Sequence, residues 1–213
     1  METSVDNLPV TNIFKDAFKS CDRIFSISLP EGIKKIGISA FYGCSNLRLV
    51  QLPESLEIIS SGAFCGCRNL KRISIPSNVH YLGGRAFENC HSLKEVVLPE
   101  IISDIGVSMF YNCYSLENII LPDEITAISK DAFSGCISLQ EIIIPPSVTS
   151  IGKRAFYNCN HLKSIYIPES VNKIGVLDFY KCSNITIHAQ TLTYAEEYAK
   201  SERIRLSNKG IYS

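Results

Sequence analysis

The chain has 213 residues, 21 basic and 21 acidic side chains and so no formal net charge, and 46% of its residues are hydrophobic. A neutral chain without a basic run lacks the electrostatic footprint of a nucleic-acid binder or a polybasic membrane anchor. Its longest apolar runs, such as residues 142–144, are strand-sized, far short of the roughly 20 residues a membrane helix needs, so no membrane span is expected.

The first six residues, from Met1 to Asp6, have neither the basic start nor the apolar core of a secretory signal and are expected to be frayed. From about Asn7 a repeat sets in. Pro30, Pro53, Pro76, Pro99, Pro122, Pro145 and Pro168 are each 23 residues apart, as are the phenylalanines from Phe18 to Phe179. A fixed period of this size means a solenoid rather than separate globular domains. The first repeat is irregular but in frame: Val10, Ile13, Ala17, Phe18, Cys21, Ile24, Ile27 and Leu29 hold its apolar positions, while Phe14 stands where later repeats have Gly or Ser.

The repeat beginning at Pro76 shows the regular pattern. Val79, Leu82, Ala86, Phe87, Cys90, Leu93, Val96 and Leu98 are its apolar positions. The residues before each proline alternate as a strand does, with Ile73 and Ile75 inward and Arg72 and Ser74 outward. Proline then ends the strand because it cannot donate to a ladder. A second short extended piece follows at residues 79–82, closed by a Gly or Ser turn (Gly83 here, Ser60 and Ser129 elsewhere). The 3–4 spacing from Ala86 through Cys90 predicts a short helix or 3₁₀ turn. One unit buries too little to stand alone, so stacking of repeat on repeat must supply the stability.

Eight of the nine cysteines, Cys21 to Cys182, lie three residues after a phenylalanine and form one repeated position. Strands in adjacent coils pair about 4.7–4.9 Å apart with parallel Cβ vectors, which does not suit a disulfide. Eight buried free thiols are therefore expected. Cys65 breaks the ladder, and its thiol is expected to be partly exposed; Cys67 belongs to the ladder, so Cys65 and Cys67 are not read as a redox pair. Met109 and Asp178 replace the small residue that precedes phenylalanine in other repeats. Both should perturb packing, Asp178 by needing a partner, water or the cap.

After Cys182, residues 185–188 look like the last strand. Thr193 and Glu196 then form a capping box at the start of a helix whose face of Tyr194, Ala195, Tyr198 and Ala199 should cover the core. No comparable cap precedes the first repeat, which leaves an edge for a partner, for an upstream segment, or for Phe14 and residues 1–9 to shield.

The unit Pro-x-x-Val-x-x-Ile-Gly-x-x-Ala-Phe-x-x-Cys-x-x-Leu-x-x-Ile-x-Ile resembles the BspA-like, or Treponema-pallidum-type, leucine-rich repeat. Residues 151–168 follow it at every marked position, and residues 194–199 resemble that family's C-terminal cap. The resemblance covers about residues 7–205. It implies an α/β leucine-rich-repeat solenoid of about eight 23-residue repeats, with a concave parallel sheet and a C-terminal helical cap. Residues 1–213 are accordingly read as a single solenoid domain: 1–6 frayed, 7–190 repeats, 191–213 cap and tail. It further implies a surface or secreted protein-binding role, with partners such as host matrix proteins or another cell surface, although residues 1–6 give no signal that fixes the compartment.

No catalytic chemistry is legible. His80, His91, His161 and His188 fall at different offsets in different repeats and give no metal-ligand spacing. No serine sits in a nucleophile elbow, and no glycine run forms a phosphate-cradling loop. No enzyme, metal or cofactor is expected. The tyrosines Tyr42, Tyr111, Tyr157 and Tyr180 form a stripe outside the sheet that should pack along the solenoid. What varies between repeats is the outward face of the strands. Two residues before each proline, Val97, Ile120, Ile143 and Tyr166 would make one exposed apolar patch, and Glu95, Asn118 and Glu141 its polar, partly acidic rim. Exposed contiguous apolar surface marks interaction, though strands also favour β-branched residues for their own sake. The expected function is non-catalytic protein–protein recognition centred on that patch, and the alternative is a structural spacer or self-assembly module using the uncapped N-terminal end.

Overall fold

The computed structural model describes residues 4–5 and 8–208. The stretch expected to fray lies outside the described residues except for Ser4–Val5, which pairs antiparallel with Leu8–Pro9. From Asn12 onward the chain winds into parallel coils. One strand per coil ends just before the proline region: Ser26–Ser28, Leu49–Gln51, Arg72–Ser74, Glu95–Val97, Glu141–Ile143, Ser164–Tyr166 and Thr186–His188. Pairing joins residues one period apart, Ser26 with Leu49, Arg72 with Glu95 and Glu141 with Ser164. The step shortens by one residue between Ser164 and Thr186. A second row of two-residue strands includes Lys35–Ile36, Ile58–Ile59 and Tyr81–Leu82 in one parallel sheet, and Ala127–Ile128, Ser150–Ile151 and Lys173–Ile174 in another. In each pair the outward residue is polar or half-exposed, and the inward Ile or Leu is buried.

The third side of each coil is built of i→i+3 turns, the tighter of the two forms that the 3–4 spacing left open, and not of a continuous helix. Ala40 N–H bonds to Gly37 C=O, Tyr42 to Ser39 and Cys44 to Phe41, a run of overlapping three-residue turns. Between them Ser39, Phe41 and Gly43 donate outward, to the carbonyls of Ser61, Ala63 and Cys65 one coil on. A helix would turn those donors inward and lose the inter-coil bonds. The ribbon needs left-handed residues at two positions per coil, Arg85 (φ 60°) and Asn89 (φ 59°) in the Pro76 coil. Asn and Gly recur at the second of these because they reach that region at least cost. Gly83 has a different reason: a Cβ there would lie 2.4 Å from Ser61 N, so glycine lets the coils approach.

The interior is a set of columns. Phe18, Phe41, Phe64, Phe87, Phe110, Phe133, Phe156 and Phe179 stack with ring centroids 5.0–5.8 Å apart and planes within 12° of parallel. All eight apolar positions of the Pro76 coil are buried. The first coil is only partly so: Ile13 and Leu29 are buried, while Val10, Phe18, Cys21, Ile24 and Ile27 are half-buried and Ala17 is exposed. Beside the rings runs a thiol column with a hydrogen-bonding role. Each Sγ–H from Cys44 to Cys182 donates to the carbonyl of a phenylalanine 26 residues earlier, for example Cys67 to Phe41 and Cys90 to Phe64, both at 3.2 Å. That carbonyl already accepts its own coil's Cys N–H, so the thiol satisfies a second lone pair inside the core.

All nine cysteines are free. Two details differ from expectation. Cys21 and Cys182, at the ends of the column, are half-buried, and Cys65 is 8% exposed rather than open to solvent, its Cβ lying 3.8 Å from where a Cβ on Gly62 would stand. Burial pushes the Cys65 thiol up to about 11, with Glu88 adding to the rise, and burial also raises Cys67. Met109 is fully buried in the small-residue column, with its Cε 3.4 Å from where a Cβ on Gly106 would be.

The C-terminal end is closed as predicted in kind, but not in detail. Helix Tyr194–Ser201 begins at Thr193, whose hydroxyl accepts Glu196 N–H. The Glu196 carboxylate reaches back to Leu192 N–H at 2.6 Å, one residue before the usual capping-box donor. Lys200, 2.9 Å away, and that amide hold the Glu196 carboxyl below its ordinary range. Ala195 and Ala199 face the core, whereas Tyr194 is exposed. Tyr198 stands edge-on to Phe179 at 6.0 Å and 67°, ending the ring stack. Residues 185–188 are not the last strand: Arg205–Ser207 returns from the helix and pairs parallel with Thr186–His188.

Asp178 is fully buried, out of reach of solvent; its Oδ1 accepts Ala155 N–H at 2.9 Å and its Oδ2 has no hydrogen-bond partner among the described residues. Burial raises its carboxyl to about 8, against the opposing pull of backbone N–H groups. A carboxyl raised from the unfolded value of about 4 costs nothing in acid. Between about pH 4 and 8 the unfolded chain ionises while the fold keeps the proton, and stability falls by about 1.4 kcal/mol per pH unit. Asp178→Asn should therefore match the native protein near pH 4 and exceed its melting temperature increasingly up to pH 8; parallel melting curves across that range would contradict the assignment.

Thiol titration with an aromatic disulfide reagent should find about two rapidly reacting groups in the native protein, Cys21 and Cys182, and all nine in denaturant. Rapid reaction of Cys65 in the native protein would show that its burial is wrong.

A candidate protein-binding groove

The outward residues of the long strands form a continuous column because the register is fixed. Its apolar part begins at Val97 and runs through Ile120, Ile143 and Tyr166. Val97 is 54% exposed, Ile120 85% and Ile143 47%, with Tyr166 half-buried. The structure divides the predicted patch. Ile120, Ile143 and Tyr166, with Asn118 and Glu141 beside them, line one groove of about 840 Å³, while Val97 and Glu95 are exposed on the neighbouring coil outside it.

Two features of the groove were missed. The column continues to His188, which follows Tyr166 in register and stacks on its ring at 4.3 Å and 16°. Carrying the column one strand further, into residues 185–188, would have found it. His188 Nδ1 is buried without a partner, and burial lowers the imidazole pKa despite Glu141 pulling the other way. The far wall comes from the turns after the strands, through Asp123, Pro145, Pro146, Glu169 and Gln190. Asp123, Glu141 and Glu169 make no ion pair among the described residues, and no Lys or Arg lines the groove.

The backbone beneath Ile120 is also distinctive. Residues 118–121 are not in a strand, and their peptide groups make no hydrogen bond among the described residues, so the face's ladder is broken between Glu95–Val97 and Glu141–Ile143. Ile119 and Leu121 are still buried, which keeps the segment in place and Ile120 outward.

The remaining candidates are scattered along the stack. The four histidines are dispersed, His91 stacking on Tyr114 and His188 on Tyr166, and the described residues contain no cluster that could hold a metal ion. In the tyrosine stripe, Tyr157 stacks on Tyr180 at 5.6 Å and Lys19 lies over Tyr42. Among the described residues no helix is long and apolar enough to cross a membrane.

A family model for the BspA type leucine rich repeat region matches in six copies over residues 11–136 and 103–208. The chain belongs to this family. Among solved structures it is similar to a leucine-rich repeat protein from Bacteroides ovatus, at 28% identity and a TM-score of 0.60, covering 89% of this chain and 62% of that one. It also matches a leucine rich cell surface protein from Faecalibacterium prausnitzii, at 25% identity and 0.47, covering 90% and 66%. A third match is the leucine-rich repeat protein of T. pallidum, at 21% and 0.39, covering 99% and 85%. The chain thus spans less than two thirds of the length of the first two. Comparison with curated proteins gives no match. Leucine-rich-repeat solenoids of this kind typically serve as protein-interaction scaffolds, presenting an extended repeated face.

Proposed function

We propose that this protein is a non-catalytic, adhesion-type recognition scaffold at a cell surface or in secretion, binding a partner protein on the outward face of its long strands. The observation that carries the reading is the groove floored by Ile120, Ile143 and Tyr166. Large apolar side chains stand there in solvent on a face whose other outward residues include Ser28, Gln51, Arg72 and Ser74. Contiguous exposed apolar surface of this kind is what a protein interface covers. The double variant Ile120→Ser, Ile143→Ser should lose binding to a panel of extracellular matrix proteins and whole cells while melting within a few degrees of the native protein, since both side chains lie outside the core. Equal binding by the two proteins would sink the reading.

A second reading, self-assembly through the N-terminal end, is supported by one feature. Phe14 is 76% exposed, and Val10, Phe18, Cys21, Ile24 and Ile27 of the first coil are only half-buried. Light scattering after size exclusion should then show concentration-dependent oligomers that Phe14→Ser disperses; a monomer at every concentration would exclude it.

A further inference from the structure

We infer that the occupant of the groove is a short extended segment of a partner protein carrying Lys or Arg side chains beside apolar or aromatic ones. This rests on the recognition role proposed above and adds the chemistry of what is recognised. The floor of Ile120, Ile143 and Tyr166, with His188 stacked on the tyrosine, offers dispersion and ring contacts. The walls carry Glu141 on one side and Asp123 and Glu169 on the other. Just outside the groove the Glu117 carboxylate is paired with Lys94 at 3.3 Å. These three are not, and no cation lines the groove. Three carboxylates around an apolar floor repel an acidic segment and attract a cationic one. Size agrees: four coils spaced about 4.8 Å apart span roughly 15 Å, the length of about five extended residues.

The test is selection from a phage-displayed random hexapeptide library on the full chain, with counter-selection on Ile120→Ser, Ile143→Ser, followed by fluorescence anisotropy of the recovered peptides. The expected result is enrichment of sequences with Lys or Arg next to Ile, Leu, Phe or Tyr. Their affinity should fall at least tenfold in Glu141→Lys, Glu169→Lys, decline with added salt, and stay unchanged in Glu57→Lys, which lies outside the groove. Recovery of neutral or acidic peptides that still need Ile120 and Ile143 would overturn the cationic occupant and leave the recognition face standing. Recovery of no peptide that depends on those isoleucines would overturn both. A dimer that dissociates on Ile120→Ser would show a second copy of this chain in the groove, and would likewise overturn the inference.

Discussion

Every coil of this protein leaves peptide groups pointing along the solenoid axis, and only the next coil can satisfy them. The two strand rows and the turn ribbon each bond to residues about one period away, as Glu95 does to Arg72, Ile58 to Tyr81 and Phe41 to Ala63. Within the regular coils the three rows share one 23-residue step, so backbone pairing holds the period before any side chain is considered; only the last coil, paired at a 22-residue step from Ser164 to Thr186, departs from it. Once it is held, identical positions meet identical positions. Phenylalanine stacks on phenylalanine, and the carbonyl left with a spare lone pair recurs at the same place in every coil. Cysteine suits that place because a thiol is small, is inexpensive to desolvate and still donates a weak hydrogen bond.

The same constraint leaves the outward strand positions free. A Ser, Arg, Val or Tyr there does not alter the register, so these columns can differ from coil to coil at little cost in stability. The groove arises where three consecutive free positions, Ile120, Ile143 and Tyr166, hold large apolar side chains and His188 extends them. It lies over residues 118–121, which among the described residues make no backbone hydrogen bond to either neighbouring strand; the row is interrupted as well between Leu49–Gln51 and Arg72–Ser74. Buried Ile119 and Leu121 anchor their segment without fixing its peptide planes, which gives Ile120 its high exposure and leaves this edge of the groove the most adaptable.

The period made the solenoid, its core columns and the free thiols legible in the sequence, because the same side-chain choice repeated eight times cannot be accidental. What was illegible depends on backbone rather than on side-chain class. The apolar spacing from Ala86 to Cys90 fits a helix and a turn ribbon equally well, and only the need of Phe87 N–H and Asn89 N–H to reach Met109 and Tyr111 in the next coil decides for the ribbon. The exposure expected of Cys65 assumed that its position faces outward in every coil; the tight ribbon around Gly62 and Gly66 instead covers the small side chain. On the candidate face the apolar column, Val97 included, is legible in the strand alternation, whereas the break at residues 118–121 is not, because it concerns peptide groups and not side-chain class. The acidic far wall was invisible because Asp123 and Glu169 sit in turns that the strand alternation does not address.

The two ends of the stack follow different physics. A repeat that ends needs an element unlike a repeat, because another coil would only recreate the exposed face. At the C-terminal end the helix replaces the ribbon, turns Tyr198 edge-on to Phe179, and returns the chain as the strand Arg205–Ser207, which pairs with the last regular coil. This is also where the core departs from its own rule. Asp178 takes the small-residue position and gives its Oδ1 to Ala155 N–H, with burial keeping a proton on the carboxyl. A charged or poorly paired group there burdens only one side of a coil, since the neighbour beyond it is a cap rather than another repeat. At the other end Phe18 has a ring partner on one face only and Phe14 projects into solvent. Among the described residues the first coil therefore buries its apolar positions less completely than the Pro76 coil, because ring stacking reaches Phe18 from one side only.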